Sequence, residues 1–245
     1  MGYNLVIDQG NSTAKVALFE GDTLVDYQRH EHLLPGHLEE IVGDRHIDAA
    51  IYCSVTHHGE DIVVSLRTIA DRVYELTSML PLPVNIGYTT PTTLGRDRIA
   101  AVAGAQALYP GKSVLVVDAG TAITYDRLTA EGEFAGGNIA PGLWMRAEAL
   151  HSMTSRLPYV DVETGGDVPL WGTDTVNAIK AGVVRGAIGE ITYYRSLLPD
   201  DAIVVLTGGD APRLAPLLEL ECEAEVEPML VCKGLNSILK YNEHH

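Results

Sequence analysis

"LVIDQGNSTAKVALFEG" (residues 5–21) carries an apolar run, a short polar turn and a second apolar run. This alternation predicts strands over 3–7 and 13–19, with a third over 23–29 completing a meander. A plain hairpin needs only two turn residues, yet this one gathers Asp8, Gly10, Asn11 and Ser12, with Lys15 just beyond. The plan recurs at 114–128, "VLVVDAGTAITYDRL", where Asp118, Gly120 and Thr121 close an apolar run before another strand. After each turn the chain alternates helices and strands. The sequence therefore reads as a diverged duplication of an α/β unit, with its boundary near Pro110–Lys112. The halves are expected to pack together and leave a cleft between the two turns.

Composition narrows the function. The chain has 245 residues, enough for a real core in one large domain or two small ones, and 46% are hydrophobic. No apolar run is long enough to span a bilayer. The first residues enter strand pattern without the basic segment and apolar core of a secretory signal, so a cytoplasmic protein is expected. Cys53, Cys222 and Cys232 are scattered and odd in number, which argues against a disulfide framework. The net charge of −16 argues against nucleic acid or an anionic membrane as partner. A bound polyphosphate must then bring a cation or meet backbone N–H groups placed locally.

Periodicity supplies the remaining elements. A short helix is expected over 37–43 and a buried strand over 47–55. Ile62, Leu66, Ile69, Val73 and Leu76 recur at helical spacing and predict one helix through "EDIVVSLRTIADRVYEL". Next come a Pro-containing strand at 82–87 and the Ala-rich helix "DRIAAVAGAQALY". The second half adds helices at 142–156 and 174–198, the latter with Val176, Ile179, Val183, Ala187, Ile191 and Tyr194 on one face. A strand at 202–210, a short helix, a strand at 224–231 and the helix "GLNSILKY" close the chain.

Glycine at 10 and 120 permits tight backbone that aims several N–H groups one way, a nest suited to phosphate oxygens. Asn11, Ser12 and Thr121 add donors, and Lys15 adds charge. Asp8 and Asp118, at strand ends, suit a hydrated cation riding with the phosphates. Either turn alone reads equally as an ordinary hairpin; the pair favours phosphate binding. "QALYPGKS" (106–113) only mimics a P-loop, because Gln106 stands where the first glycine belongs and a strand follows. His30, His32 and His37 lack zinc spacing and read as solvated surface, as does His57-His58. In "LGRDRIAAVAGA" (94–105), Asp97 either caps a helix or favours its positive end, or accepts a proton from a substrate hydroxyl, with Arg98 clamping an anion. "TGGD" (207–210) reads as a turn or as backbone that lets an adenine or ribose approach.

Together, "DQGNSTAK" (8–15), Tyr88, "GRDR" (95–98), "DAGTA" (118–122), "GGNIAPG" (136–142) and Thr173 resemble type III pantothenate kinase, over nearly the whole chain and in order. The resemblance implies two similar ribonuclease H-like (actin-like ATPase) domains, 1–112 and 113–245, each a mixed sheet with flanking helices, with the active site in the cleft. It implies an ATP-dependent kinase converting pantothenate to 4'-phosphopantothenate, the first step of coenzyme A biosynthesis. Asp8, Gln9, Gly10, Asn11, Ser12, Thr13, Ala14 and Lys15 would form the ATP phosphate loop, with Asp8 near Mg²⁺ and Thr121 a further ATP contact. Asp97 matches the catalytic base; Tyr88, Gly95, Arg96, Asp97, Arg98 and Thr173 fall at substrate-contacting positions. Asp118 matches the ligand of a monovalent cation, K⁺ or NH₄⁺. Family members are homodimers whose pantothenate pocket is completed across the interface. Ser12 replaces a commoner threonine but keeps its hydroxyl. Arg96 places an additional positive charge beside Asp97, suited to lowering its pKa or steering an anion. The alternatives are another small-molecule kinase of the superfamily and a non-catalytic regulator on the same fold; the intact Asp8, Asp97 and Asp118 argue against the latter.

Overall fold

The opening alternation folds as a meander: β1 (Tyr3–Gln9), β2 (Ala14–Glu20) and β3 (Thr23–His30) pair antiparallel. The computed structural model describes residues 2–10, 13–54, 60–162, 167–218 and 222–244. Parallel to β1 runs β4 (Ile47–Ser54), and parallel to β4 runs β5 (Ala70–Glu75), so the first sheet takes the order β3-β2-β1-β4-β5. Helices α1 (Pro35–Val42) and α2 (Glu60–Ile69) share a core with Leu5, Ile7, Val16 and Leu18. Alternate residues such as Val6, Ala17 and Phe19 are equally buried, which explains why β1 and β2 read as continuous apolar runs.

Two further helices pack on this sheet: α3 (Arg96–Leu108) and α7 (Leu230–Glu243). From Arg98 to Ala105 every residue of α3 is buried, which accounts for its alanines. The two helices meet backbone to backbone. A Cβ at Gly104 would overlap the Leu230 carbonyl oxygen, and one at Gly234 would overlap that of Ala100. Asn236 anchors α7 further: its Oδ1 accepts from Asn4 Nδ2 at 3.0 Å, and its Nδ2 donates to the Gly21 carbonyl at 2.8 Å.

Contacts divide the chain into two compact units. The first runs to Pro110 and adds Gly132–Phe134 and the segment from Met229; the second comprises Gly111–Glu131 and Ala135–Pro228. Where the sequence reading runs its second half to residue 245, contacts group α7 with the first unit, because that helix packs on α3 and β1.

In the second unit β7 (Val114–Ala119) and β8 (Ala122–Leu128) pair antiparallel, while β10 (Ile203–Thr207) joins β7 in parallel and β11 (Glu225–Val226) joins β10. On the far side of β8 lies β9 (Glu133–Pro141), whose first two residues pair with β6 (Asn85–Ile86). Helices α4 (Leu143–Ser152), α5 (Thr175–Ser196) and α6 (Ala211–Leu218) complete it. Asp174 caps α5, its side chain accepting from Asn177 N at 2.9 Å. The expected stripe of Ile179, Val183, Ala187 and Ile191 lies in the core, whereas Val176 is exposed.

Three expectations change. The helix through 62–76 stops at Ile69, and 70–75 form a strand. Val73 and Leu76 keep helical spacing by coincidence, but parallel pairing with β4 satisfies the backbone of Ala70–Glu75. The strand at 82–87 shrinks to Asn85–Ile86, Pro81 and Pro83 having no N–H to offer a ladder. The strand at 224–231 shrinks to Glu225–Val226, and α7 starts at Leu230, where Leu230, Val231, Leu235, Ile238 and Leu239 bury a helical face.

Candidate functional site

In the first unit, Asp8 is the penultimate residue of β1 and faces Lys15 across the β1–β2 ladder. Their side chains form an ion pair at 3.5 Å. Asp8 is only 8% exposed. Burial pushes its carboxyl above the ordinary range; Lys15 pulls it down, and the negative charge of Asp97 pushes it up again. Gln9 is held by Tyr52, whose hydroxyl donates to Gln9 Oε1 at 2.9 Å. The Gly10 amide donates to the Thr13 carbonyl at 3.0 Å, and a Cβ at Gly10 would stand 3.2 Å from that oxygen. Ala14 opens β2. Asn11 and Ser12 lie outside the described residues. Cys53 and Cys232 flank this strand end as inert neighbours, burial raising both thiols, that of Cys232 to about 12.

Gly95 precedes α3, and Asp97 and Arg98 occupy its first turn. Asp97 is not the N-cap. Its Oδ1 accepts instead from the Arg98 amide at 2.9 Å, folding back so far that a Cβ at Gly95 would stand 2.5 Å from it. Gly95 thus fixes where the carboxylate sits. Next to Asp97, Arg96 reaches the carbonyl of Ser54, the residue paired with Gln9, so the start of α3 lies beside the end of β1. Arg98 is 5% exposed, its guanidinium carbon 5.8 Å from the centre of the Tyr88 ring. Arg96 donates to the Ser54 carbonyl at 3.4 Å.

The second turn is built differently. Asp118 is the penultimate residue of β7 and faces Thr124, a hydroxyl rather than a cation, across the ladder. Directly opposed residues share a face, and Thr124 Oγ1 is buried with no hydrogen-bond partner. Backbone walls this turn. A Cβ at Gly142 would overlap the carbonyl oxygens of Gly120 and Thr121, and the Gly142 amide donates to Thr121 O at 3.0 Å. Gly208, at φ +90°, leaves no room for a Cβ beside Ala119 O and Asp118 Oδ1, while the Asp210 amide donates to Ala119 O at 2.9 Å. The segment before Gly142 is itself clamped. Arg146 Nε donates to Pro141 O at 2.7 Å, and its two terminal nitrogens reach Glu190 at 2.8 and 2.6 Å. Glu190 Oε2 also accepts from the Tyr125 hydroxyl at 2.6 Å. Gly142 and Gly208 sat in motifs already visible in the sequence, but their role as walls of the turn came only from the fold.

Thr173 is exposed just ahead of the α5 cap. His30 and His37 stack on each other, ring centres 4.1 Å apart, and His37 Nδ1 accepts from the Leu34 amide; they brace a turn. His57 and His58 lie outside the described residues. Gln106 ends in a helix that a turn and a strand follow, as expected of a false P-loop. Among the described residues one other cluster has metal-ligand chemistry, the exposed His46, Asp48 and Asp71, in which His46 Nε2 already pairs with both carboxylates at 3.3 and 3.2 Å. No helix among the described residues is long and apolar enough to cross a membrane.

Two mixed sheets with flanking helices, each opened by a strand, an Asp-x-Gly turn and a second strand, define a protein of the ribonuclease H-like, actin-like ATPase fold. A solved structure of a candidate Baf family transcriptional activator from Campylobacter jejuni superposes with a TM-score of 0.65 at 23% identity, covering 98% of this chain and 100% of that one; this likeness shows the fold alone. Sequence carries the assignment further. The profile of the type III pantothenate kinase family matches residues 4–196. The type III pantothenate kinase of Bacteroides fragilis is 43% identical over 242 residues, 98% of each chain. That of Porphyromonas gingivalis is 41% identical over 250 residues, covering 99% of this chain and 100% of its own. The chain belongs to the type III pantothenate kinase family and is a kinase that uses ATP.

Proposed function

We propose that the chain transfers the γ-phosphoryl group of ATP to the primary hydroxyl of pantothenate, giving 4'-phosphopantothenate for coenzyme A synthesis in the cytoplasm. The observation that carries the residue roles is that two carboxylates come from neighbouring element ends, Asp8 at the end of β1 paired with Lys15 and Asp97 in the first turn of α3, whose neighbour Arg96 reaches Ser54 beside that strand end. Residues Asp8–Lys15 hold the ATP phosphates. Asp97 orients the hydroxyl and takes its proton late in the transfer, because a carboxylate is far too weak a base to remove it beforehand. Arg98 clamps the pantothenate carboxylate, with Tyr88, Gly95, Arg96 and Thr173 as further contacts.

Asp8 is a buried carboxylate with one partly exposed lysine against it, a donor that fits Mg²⁺. Asp118 with the orphaned Thr124 hydroxyl across the ladder offers oxygen donors that fit a monovalent cation, K⁺ or NH₄⁺. When bound, these ions neutralise charge on the phosphates. A homodimer is supported by exposed apolar side chains of the second unit, including Trp171 (83% exposed) two residues from Thr173, and Tyr193 and Leu197 on and just after α5.

Asp97→Asn tests the reading. The variant should fold and bind ATP, while turnover in a coupled ADP-release assay with pantothenate falls ~10²–10⁴-fold. Unimpaired turnover removes Asp97 from the mechanism.

A further inference from the structure

Arg98 is a guanidinium in the interior of the first unit, and a second ring besides Tyr88 bears on it. Its central carbon lies 5.7 Å from the centre of the Phe134 ring and 5.8 Å from that of Tyr88. Both distances are within cation–π range. The two rings stand 6.2 Å apart, tilted by 45°. Phe134 is fully buried and far from Arg98 in sequence. A short ladder sets it: Ile86 pairs with Phe134, and the Gly87 amide donates to the Phe134 carbonyl at 3.0 Å. Tyr88 follows directly, so the junction of β6 with β9 aims both rings at one cation. Gly87 permits that approach, since a Cβ there would overlap the Glu133 carboxylate and stand 3.1 Å from Phe134 O.

We infer that Phe134 is a positioning residue for substrate: with Tyr88 it holds the Arg98 guanidinium in the orientation that receives the pantothenate carboxylate. The negative faces of the two rings hold the guanidinium carbon in place, and the N–H bonds that match a carboxylate lie in the guanidinium plane. A preset fork loses less freedom when the anion arrives, so the cage should favour a planar anion over a neutral group of similar size. The inference rests on the reading of Arg98 as the carboxylate clamp.

A buried phenylalanine also packs, and the test must separate the two roles. kcat/KM is measured with pantothenate and with pantothenol, which keeps the phosphorylated hydroxyl but carries a neutral alcohol in place of the carboxylate. Phe134→Leu should lower the pantothenate-to-pantothenol preference about threefold to tenfold. Phe134→Met, close to it in bulk but without a π face, is run beside it and should do the same, should the leucine variant fold poorly. Arg98→Ala should lower the preference at least as far. Equal losses on both acceptors in the Phe134 variants, or no loss on either, overturn the inference, for then the ring serves packing alone. A preference that survives Arg98→Ala instead sinks the clamp reading, and the two failures are thereby told apart.

Discussion

The two Asp-x-Gly turns share a plan and differ in what holds them. In the first, Asp8 lies opposite Lys15, seven positions on; in the second, Asp118 lies opposite Thr124, six positions on, so the first loop is one residue longer. Side chains brace the first: Lys15 pairs with Asp8 and Tyr52 holds Gln9. Backbone braces the second, with Gly142 and Gly208 pressed against it where no Cβ fits. In the proposed function the lysine-braced turn takes the triphosphate and its metal, and the turn fixed by neighbouring main chain takes a monovalent ion. Both turns thus keep the carboxylate at the strand end and differ in its means of support.

The largest test of this contrast is Asp8→Asn. Activity should fall about 10²–10³-fold as the charge facing the phosphate-bound cation is lost, yet the ligand-free protein should melt higher at neutral pH. The sign follows from the raised carboxyl: a group whose folded pKa exceeds its unfolded one supports the native state while protonated, and that support is lost as pH rises from the ordinary value of 3.8 through the folded one. The melting difference between variant and wild type should therefore shrink on acidification towards pH 4. A variant that melts lower at neutral pH would show that Lys15 fully compensates the buried charge.

Next in size is Gly208→Ala, which places a Cβ in left-handed backbone and against Asp118 and Ala119; it should cost about 2–4 kcal/mol in denaturant unfolding. A cost within experimental error would mean that the second turn yields, and the distinction between the two would lapse. The smallest effect is ionic. Exchanging potassium for sodium should depress wild-type activity and leave Asp118→Asn insensitive, whereas indifference of the wild type would remove the cation from the second turn.

Much of this was legible locally. Apolar runs broken by Asp, Gly and a hydroxyl announced β1, β2, β7 and β8, and the buried stripe of α5 followed its periodicity. The motif around Asp97 placed that residue in the first turn of α3. What stayed hidden depended on distant partners. Nothing in 62–76 distinguishes a helix from a helix running into a strand until β4 is present to pair with Ala70–Glu75. Phe134 reads as one more apolar residue of a strand, and only the β6 ladder brings it to Arg98. Gly104 and Gly234 are single glycines 130 positions apart whose meaning appears when two helices touch.

That last contact has a consequence for how the protein is made. Because α7 covers β1 and α3, the first unit is finished only when α7 leaves the ribosome, after the whole second unit has emerged. Until then the inner face of α3 stands open, and its alanine surface must wait through translation of more than a hundred residues for its cover. Loss of the last turn or two of α7 would strike the half of the molecule encoded first.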